Sequence, residues 1–492
     1  VASTKSSQAQ FGELDLVTLG IYIALVAIGW LMIFAVNYDP EAPYNFLDLS
    51  HSAGKQLFFM VVCFALIFVI MMTDWAFWRT YALIIYILTL LLLPGTLIFG
   101  REINGAYAWY QFGGFSLQPS ELAKFGTCLA MAGYLSSTGV SMQVWRSRMI
   151  AFGIFLLPTA IILLQSDTGS ALVFFSFMLV LYREGLSPSW YLIGFGTATM
   201  VILGLIYDPP FVVAWLIVVV NYRIISRFRE RTRPWWIVYA LLIALTIWWT
   251  PAFNWFLTQS KIDPATVPYA NLLVMVPHIL LFLAAFIPSY IRKNSMIQRG
   301  LQITLLLLAL SGALVFAANF ACYTLLAAHQ QQRIKIWLKP AEAAADARGA
   351  AYNVLHSKMA IGSGGFRGKG FLDGNMTKLN YVPEQSTDFI FCTVGEEQGF
   401  IGVVAIIALF TLLLYRITVL AERQRSNFSR IYAYCVGGII FVHFIVNVGM
   451  TMGLFPIIGI PLPFISYGGS SLIGFTLMMA VLLKLDSHRS LA

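Results

Sequence analysis

Long, uninterrupted apolar runs constrain this chain more than any other feature. Residues 16–36 contain no charge at all, and roughly 17–25 such residues are enough for a helix to cross the hydrocarbon of a bilayer. Comparable runs follow at 56–73, 80–100, 120–137, 150–165, 170–182, 190–207, 210–222, 234–257, 271–291, 301–328, 400–415, 431–453 and 467–485, with 210–222 the weakest. Lipid accepts only helices and closed barrels, and barrel strands are short and alternating. The expected fold is therefore an all-α polytopic membrane protein of about 14 transmembrane helices. Composition agrees, since 59% of the 492 residues are hydrophobic and only 11% charged, against roughly 25% charged in soluble domains. Nucleic-acid-binding, disordered, collagen-like and disulfide-framework classes are thereby excluded. The five cysteines have no metal-site or framework spacing and read as small buried hydrophobes. The run 16–36 is too long for the apolar part of a cleavable signal.

Basic residues set the expected orientation. With the N-terminus inside, Arg146 and Arg148, Arg183, the 223–233 arginines, Arg292, Lys293 and Arg299, and Arg416, Arg423, Arg425 and Arg430 all fall on the cytoplasmic side. Both termini are then cytoplasmic. The net charge of +9 reports topology rather than an acidic partner. One long polar segment, 329–398, falls outside, and it carries eight Lys or Arg against seven Asp or Glu. A loop that long without low complexity is usually functional.

Within that segment lies Ile361-Gly362-Ser363-Gly364-Gly365-Phe366-Arg367-Gly368-Lys369-Gly370. Glycines allow left-handed turns and close backbone approach, and such concave runs bind anions. Arg367 and Lys369 would suit a phosphate, whereas the alternative is a turn with solvated cations. Pro383-Glu384-Gln385-Ser386-Thr387-Asp388 and Gly395-Glu396-Glu397 add carboxylates at the outer mouth of a span. They suggest a polar cleft, or a merely solvated rim.

Two polar sites interrupt the apolar runs. In Pro119-Ser120-Glu121-Leu122-Ala123-Lys124, Ser120 is expected to cap a helix that sets Glu121 and Lys124 on one face. Ionisable groups at membrane depth suggest function, with a structural ion pair as the plain alternative. Asp167, in Gln165-Ser166-Asp167-Thr168-Gly169, is either a functional carboxylate or a cap for the next helix. Residues 461–471, PLPFISYGGSS, open the last span with small residues that permit close helix packing.

Taken together, QPSELAK (118–124), QSDTG (165–169), HQQQRI (329–334), GSGGFRGKG (362–370), PEQSTDFIF (383–391), GEEQGFIG (395–402) and PLPFISYGGSS resemble the SEDS family of bacterial cell-wall proteins, RodA-type members above all. The order matches along nearly the whole chain outside about 207–299. The resemblance implies a ten-helix core plus four inserted spans. It divides the chain into 1–206 (seven spans), 207–299 (insertion), 300–328 (the span before the loop), 329–398 (outer catalytic loop) and 399–492 (three spans and a cytoplasmic C-terminus). It also implies an inverting peptidoglycan glycosyltransferase that polymerises lipid II at the outer face of the bacterial cytoplasmic membrane, for elongation and cell shape. The implied partners are lipid II, a class B penicillin-binding protein and other elongation-complex membrane proteins, with no nucleic acid.

The family's catalytic carboxylate, in a D-P-x-G-x-x-Y stretch, matches Asp346-Ala347-Arg348-Gly349-Ala350-Ala351-Tyr352, with alanine in place of proline. Ser166, Ser386 and Ala108 stand where proline, histidine and arginine are usual. The resemblance makes Asp346 the base, assisted by Glu121 and Lys124. Arg367, Lys369, Lys358, Arg333, Asp167, Glu384, Asp388, Glu397 and Ser470 are candidates for substrate contact. A divalent cation, magnesium or manganese, is an alternative source of counter-charge. The rival reading is a lipid II flippase or other transporter, which would also carry ionisable groups in its spans.

Overall fold

The computed structural model describes residues 14–38, 48–103, 105–226, 237, 239–244, 247–248, 272–291, 295–326, 328–338, 350–379 and 381–489. Most of the expected span at 234–257 lies outside them. Among the described residues, nine helices are long and apolar enough to cross a membrane, so the chain is a multi-pass membrane protein. It divides into two compact units, one of 1–187 with 341–492 and one of 188–340.

The first unit begins with α1 (Leu16–Asn37), α2 (Ser52–Met72), the short α3 (Trp75–Thr80) and α4 (Ala82–Phe99). Asp15 and Asp74 cap α1 and α3 by accepting the N–H groups of Thr18 and Ala76. After α4 the chain forms a three-stranded antiparallel meander, β1 (Arg101–Ile103), β2 (Ala106–Phe112) and β3 (Phe115–Leu117). This corrects the all-helical expectation. Gly113-Gly114 turns β2 into β3, with Phe112 paired to Phe115, and a two-residue glycine turn suits a hairpin. Next come α5 (Pro119–Leu135), α6 (Trp145–Leu164), α7 (Thr168–Val173) and, after one 3₁₀ turn, α8 (Phe177–Arg183). Helix α5 starts at Pro119, two residues earlier than a Ser120 cap allows, because proline lacks the N–H that the first turn leaves orphaned.

The same unit resumes with α14 (Ala350–Ser363), α15 (Asn375–Lys378), α16 (Ile390–Glu422), α17 (Asn427–Thr451) and α18 (Gly469–Ser487), numbered after the second unit's α9–α13. Helices α5, α17 and α18 pack on one another and α18 also on α2, so nearly every side chain of α5 and α18 is buried. Helices α2 and α4 present Phe64, Phe68, Leu83, Leu88 and Leu91 outward, an apolar surface suited to lipid. Helix α16 spans 33 residues, about 50 Å at 1.5 Å per residue, which exceeds the roughly 30 Å hydrocarbon thickness. It breaks at Gly399 (φ 61°, ψ −158°). The stretch 390–398 is buried protein and the apolar, outward-facing stretch begins at Phe400.

Ion pairs fix which helix ends lie together. Arg416 pairs with Asp15, Arg423 with Asp486, Arg183 with Glu422, and Arg430 with Glu184 at 3.3 Å. The start of α1, the ends of α8, α16 and α18 and the start of α17 therefore share one end of this unit. Arg183, Arg416, Arg423 and Arg430, four of the arginines expected to share one side, thus lie at the same end of this unit.

The second unit contains α9 (Pro188–Ile206), α10 (Pro209–Ser226), α11 (Leu272–Ile291), α12 (Ser295–Phe320), a π turn (Ala321–Leu325) and α13 (Ala328–Leu338). Val213, Ile217, Val220 and Phe282 form one small core and Val218, Tyr239 and Leu281 another. The Asn221 amide donates to the His278 carbonyl at 3.3 Å. All five cysteines of the chain are free and buried.

Candidate active site

Glu121 and Lys124 lie in the first two turns of α5, three residues apart and so on one helix face. Lys124 Nζ is 2.9 Å from Glu121 Oε1 and 2.8 Å from Oε2. Neither side chain reaches solvent: Lys124 is 0% exposed and Glu121 1%. Glu121 Oε2 accepts no directed hydrogen bond. A third group completes the cluster. His443 of α17 places Nε2 2.9 Å from Lys124 Nζ, and the Phe475 ring of α18 lies under the ammonium at 5.2 Å. Sequence reasoning missed His443, although an ionisable residue alone in the apolar run 431–453 is a signal of its own.

Toward the end opposite the arginine pairs, Gln118 Nε2 donates to Asp167 Oδ2 at 2.8 Å. Asp167 Oδ1 accepts the Ser170 N–H at 2.9 Å, so Asp167 does cap α7. Ser120 Oγ lies 3.3 Å from Ser170 Oγ rather than at its own helix start. A side chain at Gly169 would strike the carbonyls of Ile458 and Gly459, and one at Gly459 would meet the Asp388 carboxylate. Asp167 and Asp388 thus border the same stretch of backbone. Ser470 is buried at the start of α18, while Glu384 is exposed and accepts the Thr387 hydroxyl at 3.1 Å.

The glycine run folds back on α16. Lys369 and Gly370 N–H groups donate to the carbonyls of Glu396 and Glu397 at 3.0 Å, and Phe400 N–H donates to Gly365 O at 2.9 Å. A Cβ at Gly368 would lie 2.0 Å from Glu397 O, and one at Gly399 2.2 Å from Gly368 N. These glycines permit two backbones to touch where α16 breaks. The N–H groups of Gly368, Lys369 and Gly370 are thereby engaged by backbone carbonyls. Arg367 is exposed, whereas Lys369 Nζ sits 2.6 Å from Glu396 Oε1.

The two glutamates beside this run differ sharply. Burial pushes the Glu396 carboxyl up, but Lys369, the N–H groups of Met376 and Thr377 and the Thr377 hydroxyl outweigh it and hold it below the usual range. Those donors lie 2.6–2.9 Å away. Burial of Glu397, reinforced by Glu396 and Asp373 and only partly offset by the Leu372 N–H, pushes its carboxyl up to about 7. Both Glu397 oxygens are buried with no full hydrogen bond.

Lys358, exposed on α14, reaches Gly453. Tyr352, at the start of α14, stacks on His356 with ring centres 3.7 Å apart. Asp346, six residues ahead of Tyr352, lies outside the described residues. Arg333 sits on α13 in the second unit. There Leu205, Cys322, Tyr323, Gln331 and Lys335 help line a cavity of about 440 Å³. Among the described residues, no three His, Cys, Asp or Glu side chains group as a metal site. Glu121 already faces an ammonium, so that pair does not fit a divalent cation.

Comparison with known proteins follows the same outline. The family model FTSW_RODA_SPOVE, described as cell cycle protein, matches residues 15–236 and 294–491. Peptidoglycan glycosyltransferase RodA of Treponema pallidum (strain Nichols) is 28% identical over 482 residues, covering 97% of this chain and 98% of that protein. Peptidoglycan glycosyltransferase MrdB of Escherichia coli (strain K12) is 28% identical over 415 residues, 84% of this chain and 79% of that one. Stage V sporulation protein E of Bacillus subtilis (strain 168) is 26% identical over 480 residues, covering 96% and 97%.

Among solved structures, a chain of a peptidoglycan synthase complex that coordinates polymerization and crosslinking has a TM-score of 0.60. It is 22% identical and covers 97% of this chain and 99% of that one. The Thermus thermophilus rod shape determining protein RodA has a TM-score of 0.53, with 21% identity over 97% of this chain and 98% of that one. These structures share the fold. With the family model covering both sides of 237–293, the chain belongs to the FtsW/RodA/SpoVE family of cell cycle proteins, the SEDS proteins.

Proposed function

We propose that this chain is a peptidoglycan glycosyltransferase that polymerises lipid II at the outer face of the bacterial cytoplasmic membrane. The observation that carries the reading is family membership on both sides of 237–293, and the buried Glu121–Lys124–His443 cluster supports it. The acceptor sugar hydroxyl attacks the anomeric carbon of the donor, and polyprenyl pyrophosphate leaves from the opposite side. One displacement inverts the centre, so a single carboxylate base is sufficient. Asp346 is assigned that role, which typically contributes about 10²–10⁴-fold.

The leaving pyrophosphate needs positive charge where its own charge develops. Lys124 and Lys369 are each held by a glutamate and Arg367 is exposed, so Arg367 is the best placed of the three. The finer topology belongs to this proposal as well. It has about fourteen spans, an insertion at 207–299, the segment 329–398 outside and both termini in the cytoplasm. The partner is a class B penicillin-binding protein, consistent with the complex to which one structural relative belongs.

The test is glycan synthesis by purified protein with lipid II in detergent, with and without a chelator of magnesium and manganese. Wild-type protein is expected to make polymer and Asp346→Asn to lose at least about 10²-fold. Wild-type turnover by Asp346→Asn would remove the base assignment. Polymer made where no bilayer exists would also set aside the flippase reading, because transbilayer movement contributes nothing there.

A further inference from the structure

The polar face of α17 connects the buried ion pair to the outer segment. His443 and Asn447 are four residues apart, one above the other on the helix, and both are 0% exposed. His443 Nδ1 lies 3.1 Å from the Pro461 carbonyl. A carbonyl only accepts, so Nδ1 carries the ring proton, and Nε2 of the neutral ring accepts from the Lys124 ammonium. One turn on, Asn447 Nδ2 donates to Ile460 O at 2.7 Å and to Asp388 O at 2.9 Å. The chain beyond Pro461 closes the circuit. Ser466 Oγ donates to Thr387 O, and Tyr467 N–H donates to Ser386 O at 2.9 Å.

We propose that His443 and Asn447 are positioning residues: through the backbone of Ile460 and Pro461 they tie the Glu121–Lys124 pair to the segment 383–388, and so hold the outer face in its working geometry. This deepens the polymerase reading and rests on it. The bonds that His443 and Asn447 donate go to backbone carbonyls, those of Asp388, Ile460 and Pro461, which means they fix where the segments run. A role in filling the core alone requires no such aim. Displacement of about 1 Å at a reacting centre costs up to about 10²-fold in rate, so a hold on the 383–388 backbone has kinetic weight.

Three variants of the full chain in detergent test this. In His443→Gln the amide oxygen takes the Nε2 position and accepts from Lys124, while Pro461 O loses its donor. His443→Asn places an N–H at the Nδ1 position and keeps the Pro461 bond. Asn447→Leu removes both of its bonds. Amide hydrogen exchange and lipid II polymerisation are measured on each. His443→Gln and Asn447→Leu are expected to raise exchange in 383–390 and 456–467 by about tenfold or more, leaving α4 and α6 unchanged. Their kcat is expected to fall about tenfold or more with KM within about twofold, and His443→Asn to recover part of both.

Unchanged exchange in 383–390, a uniform rise along the chain, or full kcat despite a loosened loop would each overturn the assignment. If wild-type protein makes no polymer, the polymerase reading fails separately. The exchange measurement still decides whether the tie exists.

Discussion

Two Lys–Glu pairs in this protein are built on opposite plans. In the helix bundle, Lys124 and Glu121 are both sealed from solvent, and the carboxylate receives only the ammonium. At the start of α16, Glu396 is equally buried but accepts four hydrogen bonds, three of them from Met376 and Thr377, while Lys369 keeps 26% of its side chain exposed. The Glu396 carboxylate is therefore a knot that fastens α16 to the segment 369–377, with the lysine as an accessory. In the bundle the lysine is the carboxylate's whole support, and His443 is the lysine's second partner. Buried ion pairs with few supporting bonds are costly to break by halves.

That contrast sets the largest expected effect. Lys124→Met strands the Glu121 carboxylate and is expected to cost about 3–5 kcal/mol, whereas adding Glu121→Gln should return most of it. Apparent Tm in detergent reads both. A double variant as unstable as the single one would show that the pair is not the source of the loss.

How much of this was legible in the sequence depends on the range of the interaction. Spans such as Leu16–Asn37, Ser52–Met72 and Ala82–Phe99 follow from hydropathy because lipid imposes one rule on every residue in turn. The Glu121–Lys124 contact follows from helical spacing. The contact of Lys124 with His443 crosses 319 residues of chain, and nothing local announces it. The β1–β3 meander was missed for a different reason. Residues 101–118 fall between two apolar runs and carry no span, although Gly113-Gly114 between Phe112 and Phe115 is a hairpin signal. The run 362–370 shows the limit of composition. Glycines that bring a backbone close to a phosphate and glycines that bring it close to a helix look alike in sequence, and Gly368 here meets the Glu397 carbonyl.

Glu397 sharpens the comparison from the other side, since it sits next to Glu396 without its donors. Its carboxyl titrates at about 7 in the folded protein against an ordinary 4.5. Between those values the folded state binds more protons than the unfolded one, so stability falls as pH rises from 4.5 to 7 and the full penalty remains above. At about 1.4 kcal/mol per pH unit the penalty reaches about 3.5 kcal/mol at most. Glu397→Gln is expected to raise apparent Tm at pH 8 and to leave it unchanged at pH 4. A Tm gain of the same size at both values would mean that packing, rather than charge burial, sets the difference.

The smallest effect belongs to Lys369→Met. Its ammonium is partly solvated and its partner keeps the Met376 and Thr377 donors, so the loss should be about 1 kcal/mol or less. Salt gives a second handle. Screening acts on charges that water reaches, so raising ionic strength should shrink the already small Lys369 effect while leaving the Lys124→Met penalty in place. Equal penalties for the two lysines, or equal salt responses, would show that the loop pair is as sealed as the bundle pair and that Glu396 depends on its lysine after all.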